Sequence, residues 1–81
     1  MANNMNVVIR ANGRKECIPT QNDIILEDLI GQLIIRDKIP NGNYTVTRQG
    51  MNDSLNQARS LEELAISDGD VLDLSSVGEG G

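Results

Sequence analysis

Few side chains in this 81-residue sequence can do chemistry, and what is missing narrows the options first. There is no histidine, so no side chain titrates near neutrality unaided, and Ser-His-Asp or Cys-His schemes lack their general base. The single cysteine, Cys17, cannot close an internal disulfide, and without histidine the usual zinc sites are excluded. A lone cysteine in a strand-like stretch reads as a small core or edge residue, so Cys17 is assigned no chemistry. Side-chain amines are limited to Lys15 and Lys38. The remaining reactive group is the carboxylate of Gly81, at the end of Ser75-Ser76-Val77-Gly78-Glu79-Gly80-Gly81. Activation of a carboxylate as an acyl-adenylate brings it beside the α-phosphate of ATP. Glycine has no β-carbon to obstruct that approach or the later attack of a thiol or amine. Such a thin tail fits a narrow cleft, although a frayed terminus or a linker is also often glycine-rich.

Composition excludes other classes. With 38% hydrophobic and 23% charged residues, the chain makes one small domain with a single core, and the sequence predicts a monomer when free. Its apolar clusters, such as Ile24-Ile25-Leu26 and Leu33-Ile34-Ile35, are far shorter than a membrane span. The first residues show neither the positive start nor the apolar block of a secretory signal, so a cytoplasmic location is expected. Tyr44 is the only aromatic residue and the net charge is −5, which argues against nucleic-acid binding. The charge is uneven: residues 60–81 carry Glu62, Glu63, Asp68, Asp70, Asp73 and Glu79 and no cation. That acidic quarter is either a solvated face or a steering surface for a basic partner.

The elements that must position the tail are legible from pattern. Val7-Val8-Ile9-Arg10-Ala11 runs into Asn12-Gly13, a two-residue hairpin signal, and residues 14–18 return as a second strand that Pro19 ends. Pairing across that turn puts Glu16 and Ile18 on one face and Lys15 and Cys17 on the other, with the buried face left open. Thr20-Gln21-Asn22-Asp23 offers a capping box for a helix over residues 23–38, on which Leu26, Leu29, Ile30, Leu33 and Ile34 share one face. Gly31 inside that helix is explained if it permits close packing on a sheet. A strand over residues 44–48 and a closing strand over Val71-Leu72-Asp73-Leu74 follow. Between them lie an unpatterned stretch with Leu55 as its core candidate and a second capping box, Ser60-Leu61-Glu62-Glu63. The core expected from this pattern is Leu26, Leu29 and Leu33 against Ile9, Val46, Leu72 and Leu74.

The hairpin, long helix, glycine-closed strand, Ser60-Leu61-Glu62-Glu63-Leu64-Ala65-Ile66-Ser67-Asp68-Gly69-Asp70 segment, final strand and Gly80-Gly81 ending together resemble ubiquitin and its β-grasp relatives. The resemblance implies an α+β fold, a mixed sheet of four to five strands on one main helix, with a domain over residues 1–74 and a flexible tail over residues 75–81. It implies no enzymatic activity and no cofactor, but a modifier role. A partner activating enzyme, using ATP and Mg²⁺, would adenylate Gly81 and capture it as a thioester. A conjugating enzyme would pass it to a target amine, and a metallopeptidase would reverse the bond. Val77, Gly78, Glu79, Gly80 and Gly81 are the expected recognition residues.

Departures from the family pattern qualify the partner. The family tail carries arginines where this sequence has Val77, Gly78 and Glu79, so a eukaryotic activating enzyme is a poor match and a bacterial system with its own enzyme is expected. The positions matching ubiquitin's apolar interaction patch are the polar Thr47 and Ser75, and with only two lysines no chain building is expected. Two other readings stand beside the modifier. Similar β-grasp proteins, such as the small molybdopterin synthase subunit and the thiamine-pathway carrier, convert a terminal glycine to a thiocarboxylate for sulfur delivery. Others act as noncovalent adaptors, against which the Gly80-Gly81 ending counts.

Overall fold

A computed structural model of the chain describes residues 3–77. Strands β1 (Asn4–Ala11) and β2 (Arg14–Gln21) are followed by helix α1 (Leu26–Ile35), then β3 (Tyr44–Arg48) and β4 (Val71–Ser76). The sheet order is β2-β1-β4-β3: β1 pairs antiparallel with β2 and parallel with β4, and β3 pairs antiparallel with β4. The first and last strands are therefore the two central ones.

The hairpin forms as expected. Asn12 (φ 53°) and Gly13 (φ 77°) both take the left-handed conformation that a two-residue turn requires, and Ala11 pairs with Arg14 across it. This register settles the buried face. Ile18 points inward, Glu16 is half-buried, and Lys15 and Cys17 are exposed. Along β1 the alternation is strict, with Met5, Val7, Ile9 and Ala11 inside and Asn6, Val8 and Arg10 outside. Val46, Leu72 and Leu74 extend the inner face, and Leu26, Leu29, Ile30 and Leu33 of α1 join them in one core cluster. The expected core is present, enlarged by Ile39, Leu61 and Ile66 from the connections.

Pro19 does not end β2, which continues to Gln21 with Pro19 opposite Asn6. The reason lies in the ladder. The Asn6 N–H donates to Asp68 Oδ1 (2.6 Å) and its carbonyl accepts from the Gly69 N–H (2.7 Å), so both groups of Asn6 turn away from β2. Pro19 thus occupies a non-hydrogen-bonded pair on an edge strand, where a missing N–H costs no ladder bond and protects the free edge.

The helix is shorter than the expected 23–38 and is not started by the Thr20-Gln21-Asn22-Asp23 box. Its N-cap is Ile25, with no side-chain cap. Backbone carbonyls from a distant loop satisfy the first N–H groups instead: Leu26 donates to Arg59 (2.9 Å) and Glu27 to Gln57 (2.9 Å). Asn22, the best side-chain cap by type, accepts from the Asn3 N–H (2.9 Å). At the other end Asp37 turns left-handed (φ 58°), and the Lys38 and Asp37 N–H groups donate to the Leu33 and Ile34 carbonyls, which closes a Schellman motif ahead of Lys38.

Gly31 does not serve close packing. A β-carbon placed there meets no heavy atom within 4 Å, because the residue opens onto the groove between α1 and the loop before β3. Gly31→Ala is therefore expected to raise stability by about 1 kcal/mol, or about 4–8 °C in melting temperature. A lower melting temperature in a thermal scan would show that this helix position is constrained by something other than space.

The unpatterned stretch after β3 proves to be a cover for its outer edge. The Leu55 N–H donates to the Val46 carbonyl (2.7 Å), Ser54 bridges to Thr47, and Gln57 Nε2 donates to the Tyr44 carbonyl (2.6 Å). No fifth strand forms among the described residues, but β3 is not left as a bare edge. The second capping box does form. Ser60 Oγ accepts from the Glu63 N–H (3.1 Å) and Glu63 Oε1 accepts from the Ser60 N–H (3.0 Å). The last strand runs past the expected boundary at Leu74, since Ser75 and Ser76 pair with Thr45 and Tyr44. Of the expected tail, residues 78–81 lie outside the described residues.

Candidate functional site at the chain exit

The expected functional segment leaves the sheet at Val77. Its N–H donates to the Asn43 carbonyl (2.9 Å), and its side chain is exposed. Tyr44 holds this point from below. Its ring is buried, its backbone is paired with Ser76, and its hydroxyl donates to the Pro40 carbonyl (2.6 Å), which ties down the loop that carries Asn43. Because β4 runs parallel to β1, with Leu74 beside Ala11, the chain exits at the end of the molecule that carries the Asn12-Gly13 turn. Asn12, Pro40, Asn43 and Val77 line one shallow depression there. Val77 is the only one of the five expected recognition residues within the described region; Gly78, Glu79, Gly80 and Gly81 lie outside it.

Most of the described acids in this quarter have partners within the molecule, while Glu62, Glu63 and Asp68 stay exposed. Arg48 reaches Asp70 at 2.7 Å, and the same carboxylate oxygen accepts from the Ser67 N–H (2.9 Å). Asp68 accepts from Asn6, as described above, and so links the loop before β4 to β1. Arg10 Nε lies 3.2 Å from Asp73 Oδ1, near enough for an ion pair though not aligned as a hydrogen bond. The Ser60 backbone N–H donates to the Glu63 carboxylate, and with some help from Arg59 it holds the Glu63 pKa below the ordinary glutamate range. Among the described acids of this quarter only Glu62 has a side chain without a partner.

Cations behave differently. Arg10, Lys38, Arg48 and Arg59 have carboxylate partners, with Lys38 Nζ 3.6 Å from Glu16. Arg14, Lys15 and Arg36 have none within ion-pair distance among the described residues. All three are exposed, two just after the hairpin turn and one at the C-terminus of α1. Asn12, Arg14 and Lys38 line a depression that adjoins the one at the chain exit through Asn12 and Pro40, whereas Lys15 lies on the outer face of the sheet. Sequence reasoning missed this neighbourhood because positions 12, 14, 38 and 77 show no common spacing.

On the outer face Thr47 is half-buried and Ser75 is exposed. Thr45, beside them, donates its hydroxyl to the Ser75 carbonyl at 3.4 Å. Val8 and Val71 are half-buried neighbours in the β1–β4 register, next to exposed Cys17. Among the described residues, no group of three histidine, cysteine, aspartate or glutamate side chains is arranged to hold a metal ion. Among the described residues no helix is long and apolar enough to cross a membrane.

No protein-family model matches the sequence, and no curated protein is significantly similar to it. Solved structures are. A de novo designed protein based on ubiquitin is 26% identical with a TM-score of 0.74, over 96% of each chain. Caldiarchaeum subterraneum ubiquitin is 21% identical with a TM-score of 0.70, over 98% of this chain and 100% of its own. The ubiquitin-like domain of yeast Ddi1 is 21% identical with a TM-score of 0.71, over 96% of this chain and 94% of its own. With its mixed four-stranded sheet packed on one helix, the chain has the ubiquitin-like β-grasp fold.

Proposed function

We propose that this protein is a ubiquitin-like modifier attached to other molecules through Gly81. The observation that carries the reading is the relation between fold and sequence: the last β-grasp strand ends at Ser76, and the sequence reaches Gly80-Gly81 within five further residues. The Gly81 carboxylate attacks the α-phosphorus of ATP on a partner activating enzyme, which releases pyrophosphate and leaves an acyl-adenylate. A thiol of the partner displaces AMP to give a thioester. A target amine then attacks the thioester carbonyl, forms the amide and frees the thiol. ATP and Mg²⁺ belong to the partner, and the modifier is the substrate of these steps, not their catalyst.

Val77, Gly78, Glu79 and Gly80 are the stretch that the activating enzyme grips. A conjugating enzyme and a deconjugating metallopeptidase complete the system, which we place in a bacterial cytoplasm. The absence of histidine supports the assignment of all acid-base work to partners.

Mass spectrometry of the protein recovered from its native host tests the reading. An amide between Gly81 and a lysine or N-terminal amine is the expected product. Replacement of one Gly81 carboxylate oxygen by sulfur, without conjugates, would mean a sulfur carrier instead. A free Gly81 under all conditions, with no adenylate or thioester, would mean a noncovalent adaptor.

A further inference from the structure

Two asparagines in the sequence are followed by glycine, in Asn12-Gly13 and Asn41-Gly42. Far apart in the chain, they meet in the fold: Asn12, Asn41 and Val77 line the same shallow depression. Asparagine before glycine is the pair most open to loss of the side-chain amide, because a neighbour without a β-carbon lets its backbone nitrogen reach the asparagine Cγ. Both asparagines and both glycines are exposed. Among the described residues no hydrogen bond holds either asparagine side chain.

The two sites differ in how the backbone is held. Ring closure requires the asparagine ψ to turn the next nitrogen back onto its own side chain. Asn12 is locked against this rotation, since it takes the left-handed conformation (φ 53°) in a two-residue hairpin loop whose ends, Ala11 and Arg14, are paired. Asn41 and Gly42 form a bend with no backbone hydrogen bond of their own among the described residues. The φ of Gly42, 153°, explains a glycine at that position but leaves Asn41 without a structural task. Immediately outside this pair the chain is fixed. The Pro40 carbonyl accepts from the Tyr44 hydroxyl (2.6 Å), and the Asn43 carbonyl accepts from the Val77 N–H (2.9 Å).

We propose that Asn41 is a site of self-modification, converted through attack by the Gly42 nitrogen to an isoaspartate that loosens the hold on Val77. The steps balance with water as the only co-reactant. Hydroxide takes the Gly42 amide proton, the nitrogen attacks Cγ of Asn41, and the Cγ–Nδ2 bond breaks with release of ammonia. Water then opens the resulting succinimide, chiefly at the main-chain carbonyl. The main chain now runs through Cγ, one methylene longer, and a free carboxylate stands where the α-carbonyl was. The added atom lies between two fixed points, Pro40 and Asn43, so the Asn43 carbonyl is displaced from the Val77 N–H. Among the described residues the hold on the exit then ends at the Ser76–Tyr44 pair. The inference does not depend on how Gly81 is used.

The test uses the purified full chain, kept folded in mildly alkaline buffer and sampled over days, with tryptic peptides read by mass spectrometry. The peptide of residues 39–48 reports Asn41, and that of residues 11–14 reports Asn12. Fragment masses assign the gain of one mass unit to Asn41 or to Asn43, and labelling by an isoaspartate methyltransferase separates isoaspartate from aspartate. Asn41 is expected to convert at least about tenfold faster than Asn12 in the folded chain, and at a similar rate in urea, where the hairpin no longer protects Asn12. The rate should rise with pH, because the attacking nitrogen must lose its proton. Asn41→Gln, whose ring would need six members, should stay unmodified at this position. In the converted protein, exchange of the Val77 amide with solvent, followed by NMR, should rise by at least about tenfold while that of Val7 in β1 stays unchanged. Asn41→Asp adds the same charge without lengthening the main chain, and should leave Val77 exchange within about twofold of the wild type. Equal or faster conversion of Asn12 in the folded protein, or an Asn41 that stays intact there while it converts in urea, would overturn the modification site. Conversion with unchanged Val77 exchange, or an equal rise in Asn41→Asp, would overturn its effect on the exit.

Discussion

Leu72→Ala is expected to remove most of the stability of this protein. Leu72 is fully buried in a central strand, paired with Ile9 on one side and Arg48 on the other. It lies in the cluster formed with Leu26, Leu29, Leu33 and Val46. Truncation loses the transfer free energy of the side chain and leaves a cavity that neighbouring strands cannot close, at a cost of about 2–5 kcal/mol. A domain of this length has about 4–12 kcal/mol in total, so each kilocalorie shifts the melting temperature by about 4–8 °C. A fall of roughly 10–30 °C in a thermal melt is the expected result. Leu72→Met, which keeps the volume, should cost less than about 1.5 kcal/mol and so separates cavity formation from a general intolerance of change. A melt of Leu72→Ala that overlays the wild type would remove this residue from the core.

The second large effect falls on attachment and spares the fold. Deletion of Gly81, or Gly81→Val, is expected to reduce ATP-dependent attachment by at least about 100-fold, because a misplacement of about 1 Å at a reacting carboxylate is enough for that loss. The melting temperature should stay within about 1 °C of the wild type, since every buried core residue among the described residues precedes Ser75. The pairing of the two measurements is what matters. Normal melting with lost attachment supports Gly81 as the reacting residue, whereas full attachment by the deletion variant would place the linkage elsewhere and end the modifier reading.

The effects differ because the chain separates its two tasks. Residues up to Leu74 build the core, Ser75 and Ser76 continue the ladder on β3, and Val77, the last described residue, donates its N–H to the Asn43 carbonyl. Tyr44 joins the two parts, with its ring in the core and its hydroxyl on the loop beside the exit.

Local pattern determined a large part of this structure. The Asn12-Gly13 turn, the alternation along β1, the apolar face of α1 and the Ser60–Glu63 box depend on residues within a few positions of one another, and all four formed as read. The core from Ile9 to Leu74 followed from them, because a two-layer fold has only one place to put apolar residues of those periodicities. Tertiary structure decided what depends on partners remote in the chain. The start of α1 was set by carbonyls at positions 57 and 59, which no pattern near residue 20 can reveal, and these displaced the local Thr20-Gln21-Asn22-Asp23 cap. Pro19 stayed in its strand because the loop before β4 took the hydrogen bonds of Asn6. The acids of the C-terminal quarter, conspicuous in the sequence, mostly found partners in Arg10, Arg48, Arg59 and backbone N–H groups, which the sequence does not reveal. The place where the chain leaves the sheet was decided in the same way: the parallel β1–β4 pairing brings residues some sixty positions apart in sequence side by side, so that β4 ends at the Asn12-Gly13 turn, and pairing over that distance is a property of the sheet and not of any segment.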